Sequence, residues 1–174
     1  MNIEKLIKTK IREIPDWPKK GVNFKDITPL LQDKNVFRKI IDDLATPYIG
    51  KKIDKIVGID ARGFLMASAL AYKLKSGIAI VRKKGKLPFK TIAQKYLLEY
   101  GSNTIEVHQY AILPGEKVII VDDVLATGGT IKATVDLVKK LRGKILGIEF
   151  LIELGFLRGR RKIGKFKVRA LAKY

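Results

Sequence analysis

Cysteine is missing altogether from the 174 residues, which excludes disulfides, thiol nucleophiles and thiolate metal sites. Histidine occurs once, as His108; its position after a polar stretch suits an exposed or turn-capping role rather than catalysis. Long apolar runs are also wanting. The longest, residues 64–72, falls far short of the roughly 20 residues a membrane span needs. The first ten residues carry four charges and no apolar centre, so they do not read as a secretory leader. A cytoplasmic location fits this pattern. No internal repeat, low-complexity tract or linker interrupts the chain, and its length suits one domain, 1–174.

Acidic residues are the other scarcity. There are 17 Asp+Glu against 36 Lys+Arg, a net charge of +19. Such a balance raises nucleic acid or an anionic membrane as partners. The lysines are nevertheless scattered in pairs over almost every segment, and no aromatic-rich basic patch or recognition motif accompanies them. A solvated basic surface that gathers a polyanionic small substrate is the better reading. No nucleic acid and no membrane partner is expected.

The informative stretch is Val118-Ile119-Ile120-Val121-Asp122-Asp123-Val124-Leu125-Ala126-Thr127-Gly128-Gly129-Thr130. Four branched apolar residues predict a buried strand, and Ile131, Val135 and Val138 beyond the small-residue turn predict a helix. Strand, turn and helix N-terminus make an anion site, because free N–H groups converge there and the helix dipole favours negative charge. Gly128 and Gly129 allow close approach of backbone to a phosphate. Thr127 and Thr130 add hydroxyls. An acidic pair beside a phosphate site would repel a bare phosphate. Asp122 and Asp123 can instead accept from vicinal sugar hydroxyls or hold a divalent metal that bridges to the ligand. Neither the Lys of G-x-x-x-x-G-K-[ST] nor a G-x-G-x-x-G is present, so neither common nucleotide motif applies.

The run resembles the phosphoribosyl-pyrophosphate (PRPP) loop of the type I phosphoribosyltransferases, and its Leu-Ala-Thr-Gly-Gly-Thr ending is most similar to their adenine-specific branch. Three further segments carry the resemblance. Residues 14–31 hold three prolines and a glycine and read as an ordered loop. On their own Trp17 and Phe24 could merely cover the core edge. By resemblance this is a hood, with Phe24 stacking on the base and the backbone of Asn23 and Lys25 reading its edge. Lys20, Asn23 and Lys25 depart from the usual family residues there. Strand 53–59 runs into Asp60-Ala61-Arg62-Gly63 and a helix over 64–74, a second anion geometry with a guanidinium fork. By resemblance this is the pyrophosphate loop, with a cis peptide at Asp60–Ala61. Strand 78–81 leads to a weakly periodic arm, 82–107, long enough to be a lid, although the residues alone also allow an exposed β-hairpin. Its Leu98-Glu99-Tyr100-Gly101 matches the family's catalytic loop, with Leu97 where the family usually has Asp.

Other elements expected are helices over 2–13 (stopped by Pro15) and 35–45, a helix C-terminus capped by Gly143, and strands over 145–154 and 165–171. A basic connection, Leu157-Arg158-Gly159-Arg160, matches a family Leu-x-Gly-Arg pattern. Alternating strands and helices predict an α/β fold, a mainly parallel twisted sheet flanked by helices with an N-terminal hood and a flexible β-arm. Both anion loops then lie at carboxyl ends of strands.

The resemblance implies transfer of the 5-phosphoribosyl group from PRPP to adenine, giving AMP and pyrophosphate. Ala126, Thr127, Gly128, Gly129 and Thr130 would hold the 5′-phosphate, and Asp122 and Asp123 the ribose hydroxyls. Asp60, Ala61 and Arg62 would hold the pyrophosphate. Arg82, Lys83 and Lys86 would reach a pyrophosphate, commonly the partner subunit's. Glu99 would act at the purine imidazole nitrogen, with Tyr100 shielding it. Mg²⁺ would be carried by PRPP and water near Asp122 and Asp123, with no direct protein ligand required, and the assembly would be a homodimer. Two other readings remain open at this point: another purine phosphoribosyltransferase, and a non-catalytic PRPP-binding regulator of the same fold.

Overall fold

The computed structural model describes residues 2–98 and 101–174. A seven-stranded sheet has the order β5-β6-β4-β3-β7-β8-β9. Its strands are β3 (Lys55–Ile59), β4 (Gly77–Lys83), β5 (Thr91–Leu98), β6 (Gly101–His108), β7 (Lys117–Leu125), β8 (Lys144–Glu153) and β9 (Val168–Lys173). β4, β3, β7, β8 and β9 run parallel to one another, while β6 joins β4 antiparallel and β5 joins β6 antiparallel. The central strands are near-continuous Val/Ile runs because both faces are covered. α1 (Ile3–Lys10), α3 (Lys34–Ala45) and α4 (Gly63–Leu74) pack one side through Ile7, Leu44, Met66 and Leu70. α5 (Gly129–Lys140) closes the other through Ile131, Val135, Leu137 and Val138.

Two parts of the expected outline shift. The first helix ends at Lys10, before Pro15, because Arg12–Ile14 forms a strand, β1, paired antiparallel with β2 (Phe24–Asp26). The hood is therefore a small hairpin with a 15–23 connection, followed by a five-residue helix, α2 (Thr28–Gln32). At the end of α5 the left-handed residue is Arg142, with φ +60°, and Gly143 N donates to Val138 O at 3.0 Å. Gly143 is needed one position later than a capping role implies: a Cβ there would lie 2.9 Å from Ile112 and Val138 side-chain atoms.

The arm is the β5–β6 hairpin. It is anchored by Ile105 and Val107, both buried in the core beneath α5. Glu106 is buried as well, and its Oε1 accepts from the N–H groups of Gly85, Lys86 and Leu87. That carboxylate ties the 85–87 turn, which follows Lys83 and Lys84, to the arm's base. Among the described residues no helix is long and apolar enough to cross a membrane.

Candidate active site

β7 stays extended through both carboxylates, with Asp122 opposite Phe150 and Val124 opposite Ile152 of β8. The acidic pair is thus fixed by a strand ladder and not by the turn that follows. Only Ala126, Thr127 and Gly128 separate β7 from α5, and Gly128 adopts φ +80°, ψ 1°. The turn, together with Asp122, Val124 and Phe150, surrounds about 70 Å³, the scale of one small anion. The first N–H groups of a helix have no partner within it, so α5 directs free donors at this cavity.

Gly128 also needs to be glycine for space, because a Cβ would collide with the Gly159 carbonyl. Conversely, a Cβ on Gly159 would collide with the Ala126 carbonyl and come within 2.9 Å of Gly128 N. The two backbones lie flat against each other. Arg160 fastens the outer one: Nε donates to Glu153 Oε1 (3.1 Å) at the end of β8, and Nη1 to Val168 O (2.6 Å) in β9. The Arg160 hydrogen bond holds the Glu153 carboxyl below its ordinary pKa.

Asp123 is 6 % exposed. Its backbone N–H donates to Asp122 Oδ1 at 2.9 Å. Arg62 Nε approaches Asp123 Oδ2 to 2.6 Å, a charge contact without hydrogen-bond alignment, so this buried oxygen still has no hydrogen-bond donor. Although Asp122 keeps some open surface, its carboxyl is deeply packed. Burial, with the charge of Asp123 added, pushes its pKa well above the usual carboxylate range.

Across from the pair, β3 ends at Ile59 and the chain passes through a cis Asp60–Ala61 peptide to Arg62, at the head of α4. α4 sits so close that a Cβ on Gly63 would lie 2.6 Å from Asp122 Oδ1. The Arg62 guanidinium lies 5.1 Å from the Phe24 ring centroid, within cation–π range. Asp60 Oδ2 accepts from Arg82 Nε at 2.9 Å, and Arg82 Nη1 donates to Lys86 O at 3.3 Å. Lys83 and Lys86 are exposed and make no ion pair among the described residues.

The hood supplies an apolar wall. Phe24 meets Trp17 edge-on, with centroids 4.4 Å apart and planes at 65°. Asn23 Nδ2 and Lys25 Nζ both reach the Glu13 carboxylate of β1, at 2.8 and 2.6 Å, and Lys25 Nζ also lies over the Tyr174 ring. Lys25 and Asn23 in turn lower the pKa of Glu13. A cavity of about 310 Å³ lies beneath, bounded by Phe24, Arg62, Asp123, Val124, Ala126 and Leu154 among others. It shares Val124 and Ala126 with the anion-sized cavity.

The structure therefore brings the hood, Arg62 loop and β7 turn to one cleft at the carboxyl ends of β3 and β7. Glu99 and Tyr100 lie outside the described residues. The sequence reading missed Glu13 because it fell inside an expected helix, and missed Gly159 as a wall of the turn because only its motif, not its contact, is legible. Tyr96 was also passed over; its Oη accepts from Thr130 Oγ1 at 3.1 Å.

Residues 28–173 match the model of the phosphoribosyl transferase domain. An adenine phosphoribosyltransferase of Trichlorobacter lovleyi is 54% identical over 168 residues, covering 97% of this chain and 98% of its own. That of Brachyspira hyodysenteriae is also 54% identical, covering 97% and 99%. The crystal structure of the Thermoanaerobacter pseudethanolicus adenine phosphoribosyltransferase superposes with a TM-score of 0.94 at 50% identity, covering 98% of this chain and 99% of that one. The Saccharomyces cerevisiae enzyme, crystallised with adenine and an imino-altritol bisphosphate, gives 0.91 at 39% identity, covering 97% and 98%. The chain belongs to the phosphoribosyltransferase family and, within it, to the adenine phosphoribosyltransferases.

Proposed function

We propose that this cleft joins adenine to PRPP, releasing AMP and pyrophosphate, with the residue roles that follow. The observation that carries the reading is the shared wall: one strand end, Val124 to Ala126, borders both an anion-sized cavity and an aromatic-roofed one. A nucleoside monophosphate carries its phosphate and its base on either side of one sugar, which suits two adjoining cavities.

Ala126 to Thr130 hold the 5′-phosphate through backbone N–H groups and two hydroxyls. Asp122 and Asp123 accept from the ribose hydroxyls, and the donor-free Asp123 Oδ2 suits that role. Phe24 stacks on adenine, whose amino-bearing edge is read by the backbone of Asn23 and Lys25. Cleavage of the bond from C1 to pyrophosphate builds positive charge on the ribose and negative charge on the leaving group. The carboxylate pair favours the first; Arg62, with Asp60 and Ala61 shaping its loop, neutralises the second. No protein nucleophile is required, so catalysis rests on alignment and charge. Glu99 exchanges a proton at the purine imidazole nitrogen, and Tyr100 shields it when the arm closes.

A divalent cation fits this donor set. The described residues contain no cluster of three or more ligating side chains, so Mg²⁺ would take most of its oxygens from PRPP and water beside Asp122 and Asp123. When bound it neutralises pyrophosphate charge. The protein acts as a cytoplasmic homodimer formed by the whole chain, with the hood at about 14–31 and the arm at about 82–107. Arg82 is committed to Asp60 of its own chain, which leaves Lys83 and Lys86 as the exposed cations for a partner's pyrophosphate. The test is incubation with Mg²⁺, PRPP and, separately, adenine, hypoxanthine, guanine and orotate. Nucleotide is expected from adenine; its absence there, or greater yield with another base, overturns the assignment.

A further inference from the structure

Tyr96 sits in β5 three residues before Glu99, and its ring packs with Ile92 against the core beneath α5. A phenylalanine would serve that packing equally well. What needs a reason is the hydroxyl, which reaches out of an apolar contact to a single partner, Thr130 Oγ1. Thr130 is the second residue of α5 and borders the 70 Å³ anion cavity. One side chain of the phosphate turn is thus held by the arm. A second tie runs alongside it, from Lys140 Nζ near the end of α5 to Ala93 O, 3.4 Å away.

A hydroxyl has one proton to give. Thr130 Oγ1 donates it to Tyr96 Oη. A phosphate in the turn can use Thr130 only as a donor, so the proton must swing to the anion and the Thr130 oxygen becomes an acceptor. Tyr96 also has a proton and can fill that place without moving its ring. The contact then reverses direction instead of breaking, giving a chain from Tyr96 through Thr130 to the phosphate. The anion's charge polarises both links, and hydrogen bonds in such a chain strengthen one another.

We propose that Tyr96 is a positioning residue that orients the Thr130 hydroxyl toward the 5′-phosphate and so couples occupation of the phosphate turn to docking of the arm. The proposal rests on the reading of residues 126–130 as the 5′-phosphate site. Coupling is reciprocal: phosphate secures the strand leading to Glu99, and the docked strand tightens the grip on phosphate. The contact between arm and turn is therefore built to persist, strengthened, in the loaded enzyme.

The experiment titrates ribose 5-phosphate into the wild-type protein and into Tyr96→Phe, Thr130→Val and the double variant, and follows amide exchange across residues 92–96. Tyr96→Phe is expected to weaken binding roughly three- to tenfold, the range of one neutral hydrogen bond. The double variant should bind about as Thr130→Val alone, because both remove the same chain. Ribose 5-phosphate should slow exchange at 92–96 in the wild type and not in Tyr96→Phe. Equal affinity and equal slowing in Tyr96→Phe, or fully additive losses in the double variant, overturn the coupling while leaving the phosphate site intact. A wild-type protein that binds neither ribose 5-phosphate nor PRPP removes the phosphate site itself, and the coupling with it.

Discussion

Replacing Gly159 by alanine tests whether the phosphate turn is shaped from outside its own sequence. Gly159 does not adopt a positive φ, so alanine meets no backbone strain there. The new methyl group would instead lie 2.9 Å from Gly128 N, and closer still to the Ala126 carbonyl. Both neighbours are backbone and cannot rotate away. Arg160, tied to β8 and β9, keeps the 159 segment from retreating. The turn must therefore give, by several tenths of an ångström at least. Overpacking of this kind costs about 1–3 kcal/mol, or roughly 2–12 °C in Tm for a chain of this size. The functional loss should be larger than the stability loss, since a displacement of about 1 Å in a positioning element can cost about a hundredfold in rate. We expect kcat/KM for PRPP to fall roughly ten- to a hundredfold.

Gly164→Ala is the control. It lies in the same segment at φ +75°, with nothing near its Cβ direction. Alanine there incurs left-handed strain of about 1–2 kcal/mol and touches no neighbour. The two variants should lose comparable stability and differ widely in kcat/KM. Steady-state kinetics with PRPP varied, beside thermal melts, separates them. Wild-type kcat/KM in Gly159→Ala, or an equal loss in Gly164→Ala, would refute the idea that backbone contact shapes the turn.

Asp122→Asn should trade function for stability. A carboxyl whose pKa is raised in the folded state binds more protons there than when unfolded, so its contribution to stability is lost as pH rises through the folded value. The amide should therefore melt higher than wild type near pH 8, lose that advantage near pH 4, and bind PRPP more weakly; a pH-independent Tm difference would contradict the burial argument. Tyr48→Phe addresses the buried Glu149, which accepts from Tyr48 Oη at 2.7 Å and Arg169 Nε at 2.9 Å. Burial raises the Glu149 pKa and the Tyr48 hydrogen bond opposes that rise. Losing this donor should cost about 1–3 kcal/mol, more at pH 7.5 than at pH 5, because it is the ionised carboxylate that is left short. Melts at both pH values check the sign.

Much of the candidate cleft was legible because its parts are contiguous. Strand, acidic pair, glycine turn and the start of the helix fall within thirteen residues, 118–130, and their periodicities change where the structure changes. The fold followed for the same reason: β-branched runs such as Val118–Val121 read as strands buried on both faces. The hood was less legible. Residues 11–13 extend the first helix by pattern, yet pairing with Phe24–Asp26 makes Arg12–Ile14 a strand, and no local signal announces a partner ten residues away. Glu13 was lost with that strand.

Contacts between distant backbones leave the weakest trace of all. Gly128 advertises itself through its place in a glycine turn, whereas Gly159, 31 positions later, is legible as part of a Leu-x-Gly-Arg pattern and not as a contact. The same holds for Tyr96, whose ring fits an ordinary strand pattern and whose one unusual atom is its oxygen. These residues share a property: each touches the phosphate turn through a single atom or a bare backbone, where hydrophobic periodicity carries no information. Sequence patterns report on faces of elements, and so they recover the groups proposed to bind substrate while missing those that hold these groups still. The distinction is testable as a pattern of losses. Changes at Asp122 and Asp123 should alter which ligand oxygens are held, while Gly159→Ala should weaken PRPP, ribose 5-phosphate and AMP by similar factors, because it displaces the phosphate grip they have in common. A Gly159→Ala protein that discriminated among these three ligands would mean that the contact reaches the sugar as well, and that the turn and the acidic pair move as one body.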